Sequence, residues 1–508
     1  MVSRSADRAA GRALDGPLLP VMVGVGAFTA TRLAMLPGVG FWDTAELQTV
    51  APFLGTAHPT GYPTYVILGW VANFVLTPFG EPALRMNLFA GICVAVAAAV
   101  TVDLVRALTR STVLGVAAGL GLAFTTVVWR IGLQADAHAL HLALTAILFR
   151  LLVAWEQERH DGTLIAAAIV FGLALGNHSL SLLLAPPIGL YALAVEPEIV
   201  HRPRLLGGAI LALLVTVVLV FLELPLRGGG PLAAPEPLVY GHPDTWDGFW
   251  YVALAEQFRG SLVDPFGDLA GKTAALIGRT VAAFGPVAPL IPIGFGTAIV
   301  RRPRYALLSG SAALITIFFA ASYVNADIDR YYIVPAFLAW TWLAILAAGV
   351  ATLIGRNLGE GRGPEPFMAA ALAVVLLVPT AADIPVRFRT IDRSRDRGAP
   401  AWVDRALDLM APHAVLLSWW SYSTPLWYAQ FAQDRRRDID IIDDRTRLDL
   451  NLGDVTDVID ANLPSRPVYV IRVDQTEITR LEQRYSLVYL DGSNAMGLTQ
   501  VVPRELGS

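Results

Sequence analysis

Phe41-Trp42-Asp43-Thr44-Ala45-Glu46 places two carboxylates three positions apart, directly after the first apolar run of the chain. If residues 44–54 form a helix, Asp43 stands at its cap and Glu46 lies one turn on, so both carboxylates can face one space. An N-cap Asp followed by a first-turn Glu, stabilised by the helix dipole, fits the same spacing. The next stretch, Ala57-His58-Pro59-Thr60-Gly61-Tyr62-Pro63, carries two prolines and a glycine that fix a rigid turn. Such a turn is a suitable mount for His58 and Tyr62 in a site, and equally a connector between two short helices. Further polar groups interrupt the apolar sequence at Arg130, Gln134, Asp136 and His138; at Asn177 and His178; at Glu223 and Arg227; at His242, Asp244 and Asp247; and at Asn325, Asp327, Asp329 and Arg330. Charged groups next to hydrocarbon are costly and are usually paired or functional, so these clusters point to a polar cavity.

Other chemistries find no support. His138 and His141 are one helical turn apart, but no third ligand stands at a recognisable spacing, so no metal is assigned; no cofactor is expected, and a divalent metal is possible but unsupported. Gly271-Lys272-Thr273 lacks the Gly-rich loop of a phosphate-binding motif, and nothing resembles a dinucleotide fingerprint. Asn177-His178-Ser179 matches a glycosylation acceptor, but it falls at a helix end near the bilayer. The net charge of −4 and pI near 6.1 give no basic signal for a nucleic-acid partner. The lone Cys93 lies in an apolar run and excludes an intramolecular disulfide.

The elements that must position these groups are membrane helices. With 55% hydrophobic residues, 16% charged residues and a mean hydropathy of +0.54, the chain has lipid as its main solvent. Apolar runs fall at 17–36, 84–105, 113–129, 138–154, 163–176, 180–194, 205–225, 273–299, 305–323, 331–354 and 366–383, about eleven candidate transmembrane helices. The first follows Arg4, Arg8 and Arg12 without a cleavage pattern and reads as a retained anchor. With a cytoplasmic N-terminus, alternation puts Arg106, Arg110, Arg159, Arg202, Arg204, Arg301, Arg302, Arg304, Arg356 and Arg362 inside. It puts the first loop, 37–83, every polar cluster above, and everything after 384 outside. Gly61 to Phe79 is long enough to span, but a span there would move Arg4, Arg8 and Arg12 outside and strand Asp43, so a re-entrant or interfacial helix is expected. The expected fold is mainly α, a polytopic domain over 1–383, in the cell membrane. A small extracytoplasmic α/β domain follows over 384–508, with β-branched runs at 413–418, 438–442, 467–472 and 486–490 and a helix-like stretch from Pro425 to Gln433.

The stretch from Trp42 to Arg85 resembles a multi-pass membrane family, long catalogued as a domain of unknown function, whose vertebrate member is a protein O-mannosyltransferase. Asp43-x-x-Glu46, the Leu54-Gly55-x-Ala57-His58-Pro59-x-Gly61-Tyr62-Pro63 turn and Arg85-x-Asn87 carry the likeness. It continues through Gln134 to His138, Leu175-Gly176-Asn177-His178, and Asn325 to Tyr332 followed by Pro335, and more weakly into Trp427-Tyr428 and Arg437-Asp438. The chain departs from the family at Thr44-Ala45, where Ser-Gly is common, and at Thr60, where a second proline is common. Such proteins are similar to C-type glycosyltransferases, polytopic enzymes with an essential acidic residue in the first outer loop and a lipid-phosphate sugar donor.

The resemblance implies that Asp43 is the general base removing the proton of an acceptor hydroxyl as it attacks the sugar's anomeric carbon, with inversion. Glu46 would raise the basicity of Asp43 or orient the acceptor. His58, Tyr62, Arg130, His138, Asn177, His178, Asp327, Asp329 and Arg330 would bind donor or substrate, with Arg330 preferred for the lipid phosphate because its guanidinium is bidentate. Implied partners are a lipid-phosphate sugar donor, an exported protein or glycan acceptor, and membrane lipid. A transporter or flippase for a lipid-linked or sugar substrate is the alternative, but it expects inverted repeats and midplane polar groups, which the sequence lacks. A scaffold anchored by its membrane region needs neither so many helices nor a carboxylate loop.

Overall fold

The apolar runs become helices because a chain segment in hydrocarbon must satisfy its own backbone hydrogen bonds. In the computed structural model, residues 18–357, 365–472, 474–490 and 497–504 are described; Arg4, Arg8, Arg12 and Arg362 lie outside them. Among the described residues, six helices are long and apolar enough to cross a membrane: Pro82–Thr109, Ala137–Glu158, Pro203–Gly228, Pro303–Ala321, Ile328–Asn357 and Pro366–Ile391. Shorter apolar helices occupy Leu18–Ala34, Thr112–Ala123, Asp161–Asn177 and Ser179–Val195, so each run read from hydropathy is helical.

The run expected as one helix over 273–299 is two pieces, Leu269–Val287 and Leu290–Arg301, bent by 81°. Its cause is local: Gly285 takes a left-handed φ of 56°, and the flanking Pro286 and Pro289 have no amide hydrogen to continue the ladder.

The chain divides into two compact units. One comprises residues 1–35, 88–221 and 255–392, and its described residues carry helices and no named strand. Its helices approach closely through glycines. A Cβ on Gly115 or Gly119 would stand 2.5 Å from the carbonyl of Val102 or 2.7 Å from that of Ala98, and one on Gly294 would stand 2.7 Å from the carbonyl of Trp342. Small residues four apart are how apolar helices pack where no water drives them together. The helix Ala137–Glu158 is central, with 83% of its apolar window buried, whereas Pro366–Ile391 has 22% buried and presents Val374, Val375 and Val378 outward.

The second unit joins residues 36–87, 222–254 and 393–508. Its first loop contains a loop helix, Trp42–Phe53, and the helix Pro63–Val75. At 13 residues the latter reaches about 20 Å, short of the roughly 30 Å of a hydrocarbon core. It exposes Trp70, Phe74 and Val75 along one side.

The tail of this unit forms a five-stranded sheet: β1 (Val415–Ser418), β2 (Asp440–Asp443), β3 (Val468–Ile471), β4 (Tyr485–Tyr489) and β5 (Leu498–Pro503), in the order β2-β1-β3-β5-β4. β2, β1 and β3 are parallel, and β5 runs antiparallel to both β3 and β4. Val415, Leu417, Val468, Val470 and Val501 pack with Val458, Ile459 and Leu481 of flanking helices. Four strands fall where the β-branched runs place them; β5 was not anticipated. The helix expected from Pro425 begins earlier and covers Trp420–Phe431, with Pro425 inside it.

Candidate functional site

The loop helix begins on Trp42, a bulky residue in the left-handed region at φ 59°. Backbone of this kind costs about 1–3 kcal/mol and persists only where surroundings impose it. The N-cap is Phe41, which makes no side-chain cap bond, and Asp43 lies in the first turn. The Asp43 carboxylate is therefore not the helix cap that its position in the sequence allows. Its Oδ1 accepts a hydrogen bond from the indole Nε1 of Trp420 at 3.1 Å, from a residue 377 positions away.

Glu46 sits one turn on and is 2% exposed. Its Oε1 accepts from the His58 backbone N–H at 2.5 Å, and its Oε2 meets His58 Nδ1 at 2.5 Å. The other ring nitrogen, Nε2, pairs with the Tyr62 hydroxyl at 3.0 Å. Burial pushes the Glu46 carboxyl above its ordinary range, the charge and hydrogen bonds of His58 pull against this, and the Asp43 carboxylate adds to the rise. Asp43 is partly exposed, whereas Glu46 is buried. Asp43, Glu46 and His58 each bring a ligating atom within 4.8 Å of the others, a set with the composition to share a cation.

The turn is rigid for visible reasons. Gly61 takes φ 76°, and a Cβ there would meet Leu224 Cδ2 and Val252 Cγ1 at 2.9 Å, while Tyr62 itself is left-handed at 49°. Gln48, fully buried, accepts from the Gly40 N–H at 2.9 Å and donates to Asn87 Oδ1 at 2.8 Å, and Asn87 in turn donates to the Leu36 carbonyl at 2.8 Å. Arg227 closes the other end of the loop helix, donating to the carbonyls of Leu54 at 2.8 Å and Phe53 at 2.9 Å.

Beside Glu46 lies a narrow crevice lined among others by Thr56, Tyr240, Trp420, Trp427 and Arg445. The Arg445 guanidinium lies 4.5 Å from the Tyr240 ring centroid and 5.6 Å from that of Trp427.

The helical unit holds the second polar group. Arg330 meets Asp327 at 3.1 Å and Asp136 at 3.4 Å, and Arg130 meets Asp327 at 2.5 Å. Asp136 caps the helix Ala137–Glu158 through the His138 N–H at 2.8 Å and touches His138 Nδ1 at 3.0 Å. Burial alone would raise the Asp136 carboxyl, but Arg330 and His138 hold it down at about 2. The His138 and His178 rings stand 4.7 Å apart, and Asn177 donates to the Ala137 carbonyl at 3.1 Å. His141 Nδ1 pairs with the Ser181 hydroxyl at 3.1 Å, and its ring lies 6.0 Å from that of His178. Asp329 sits apart from this group, bound to Arg279 at 2.8 Å.

Sequence reasoning thus found two clusters. It missed Trp420, Gln48, Arg445 and Arg279, of which only the Trp419-Trp420 pair at a strand end carried a local signal.

Residues 43–199 match the family model of the protein O-mannosyl-transferase TMEM260 N-terminal domain, a match that starts on Asp43 itself. The resemblance read from the motifs stands. The mouse protein O-mannosyl-transferase TMEM260 is 33% identical over 198 residues, 38% of this chain and 27% of the mouse protein, so this chain spans about a quarter of that relative's length. The fold is similar to that of ArnT from Cupriavidus metallidurans. The crystal structure of ArnT bound to undecaprenyl phosphate is 14% identical with a TM-score of 0.57, covering 95% of this chain and 97% of that one. The apo structure gives 0.56 at 14% identity, over 97% of this chain and 98% of that one.

Proposed function

We propose that this chain is a multi-pass membrane glycosyltransferase that moves a sugar, mannose by its resemblance, from a polyprenyl phosphate to a hydroxyl on an exported protein or glycan. The observation that carries this reading is the pair Asp43 and Glu46. One carboxylate is buried and spent on His58, and the other is partly exposed and accepts from the Trp420 indole.

Asp43 takes the acceptor's hydroxyl proton as that oxygen bonds to the anomeric carbon. The bond from the same carbon to the phosphate oxygen breaks, with inversion, and the lipid phosphate leaves with the electron pair. A positioned carboxylate contributes about 10²–10⁴-fold through such proton transfer. Glu46 then has a different task from raising basicity, because its two oxygens hold the His58 turn. Arg330 and Arg130, both already in contact with carboxylates, are assigned to the leaving phosphate, whose charge a guanidinium matches in bidentate fashion.

A fold neighbour, ArnT, is known bound to undecaprenyl phosphate, which supports the donor class. The positive-inside pattern of the arginine loops supports an outer-face reaction in the cell membrane, with the N-terminus cytoplasmic and the tail outside.

The test is to incubate purified protein with labelled polyprenyl-phosphate mannose and an extract of exported proteins. Label is expected in protein or glycan with the wild type and lost with Asp43→Asn at unchanged expression. Near wild-type transfer by that variant overturns the assignment.

A further inference from the structure

The tail helix Trp420–Phe431 hydrogen-bonds to the first loop from three positions spaced four apart, hence from one face of the helix. Trp420 donates from Nε1 to Asp43 Oδ1 at 3.1 Å. One turn on, Thr424 donates from Oγ1 to the carbonyl of Trp42 at 3.0 Å. One turn further, the Tyr428 hydroxyl accepts from the Ala83 N–H at 3.1 Å. Thr424 and Tyr428 are buried, at 0% and 1% exposure. The Trp42 ring is also met edge-on by Trp419, with centroids 5.0 Å apart.

These contacts fall on the residue with left-handed backbone and on the carboxylate that follows it. We infer that Trp420 and Thr424 are positioning residues for Asp43: the tail helix clamps the Trp42–Asp43 peptide and aims the carboxylate, so the reaction centre is complete only when residues from both ends of the sequence are assembled. The inference rests on the reading of Asp43 as base.

Geometry favours positioning over simple packing. An indole N–H aimed at one carboxylate oxygen restricts the rotation of that group and so sets the direction in which it can take a proton. A catalytic group displaced by a fraction of an ångström loses rate without losing substrate, because the near-attack geometry is what the bond maintains. Thr424 acts one step further back, holding the carbonyl of the residue whose φ sets where Asp43 points.

The experiment compares Trp420→Phe, which keeps an aromatic ring but removes the indole N–H, with Thr424→Val, which keeps the shape and removes the hydroxyl. Transfer is measured at saturating and limiting concentrations of labelled polyprenyl-phosphate mannose. For Trp420→Phe, kcat is expected to fall about 10- to 100-fold while the donor KM stays within about twofold and Tm is unchanged, the pattern of an interaction needed only in the transition state. Thr424→Val is expected to fall less.

A role in packing alone would lower Tm and active fraction together. A role in substrate binding would raise KM at constant kcat. Either result, or wild-type kcat in Trp420→Phe, overturns the inference. As a measurement independent of folding in that variant, the ¹⁵N indole resonance of Trp420 is expected to shift in Asp43→Asn relative to the other tryptophans; an unshifted resonance overturns the bond itself. Transfer that survives Asp43→Asn sinks the reading of the base, whereas transfer lost in Asp43→Asn but intact in Trp420→Phe sinks only the clamp.

Discussion

Asp43 and Glu46 are the same functional group one helical turn apart, and their surroundings give them separate work. Glu46 is closed in by His58 at both oxygens, so Glu46→Ala leaves a buried imidazole and a backbone N–H without their acceptor. Loss of a partner in such a buried pair costs about 3–5 kcal/mol, and a thermal melt in detergent is expected to show it as a lower Tm together with reduced transfer. Glu46→Gln, which keeps the shape, tests the charge. Burial raises the Glu46 carboxyl in the folded chain, so the folded state holds that proton to higher pH than the unfolded one. The stability linked to it is fully present below the unfolded value near 4.3 and falls as pH rises through the folded value. The Tm of Glu46→Gln relative to wild type is thus expected to rise as pH increases from about 4, and a constant difference would contradict it. Because the His58 ring is engaged at both nitrogens, transfer is expected to survive dialysis against EDTA. Loss restored by one divalent cation would mean that His58 turns from Tyr62 to share a metal with the two carboxylates. Asp43, Glu46, His58 and Tyr62 were legible as a group because they lie within one short stretch, where spacing and turn chemistry constrain them. Trp420 was not, since hydrogen bonds between residues hundreds of positions apart leave no periodicity in the sequence.

Among the elements, hydropathy located each apolar helix, because in lipid the length of an apolar run and the need for internal hydrogen bonds fix the answer together. What it did not resolve was the break at Gly285, although Gly-Pro followed by a second proline is legible punctuation. β5, at six residues the longest of the five strands, went unread because Thr499 and Gln500 interrupt its apolar run and Pro503 closes it. Close helix contacts give a further test. Gly119→Leu in the helix Thr112–Ala123 would drive a side chain into the Ala98 carbonyl and Val102. Overpacking of this kind costs about 1–3 kcal/mol, and the variant is expected to melt earlier, whereas the same change at Gly189, with open space around it, is expected to be neutral. The parallel strands β2, β1 and β3 add a geometric point, for ligand sites in such sheets lie beyond the carboxyl ends of the strands. β1 ends at Ser418, and the next two residues are Trp419 and Trp420, which meet Trp42 and Asp43.

At the scale of the whole molecule, the proposed reaction requires the first loop and the tail to share one side of the membrane. Cysteine accessibility checks this in a background with the buried Cys93 replaced by alanine. Cysteines at the exposed positions Ser465 and Trp42 are expected to react with an impermeant reagent added outside intact cells, and one at the exposed Arg204 only after permeabilisation. A first loop that labels from the opposite side to the tail would remove the outer-face reaction.

The contact between Trp420 and Asp43 also bears on when activity can appear. A ribosome delivers residue 43 to the membrane long before residue 420, so a nascent chain carries the acidic loop without its indole partner. On the proposed function, transfer is expected to switch on late in biosynthesis, only after the tail has folded against the first loop. A stop codon that spares every membrane helix should still be as inactivating as loss of Asp43.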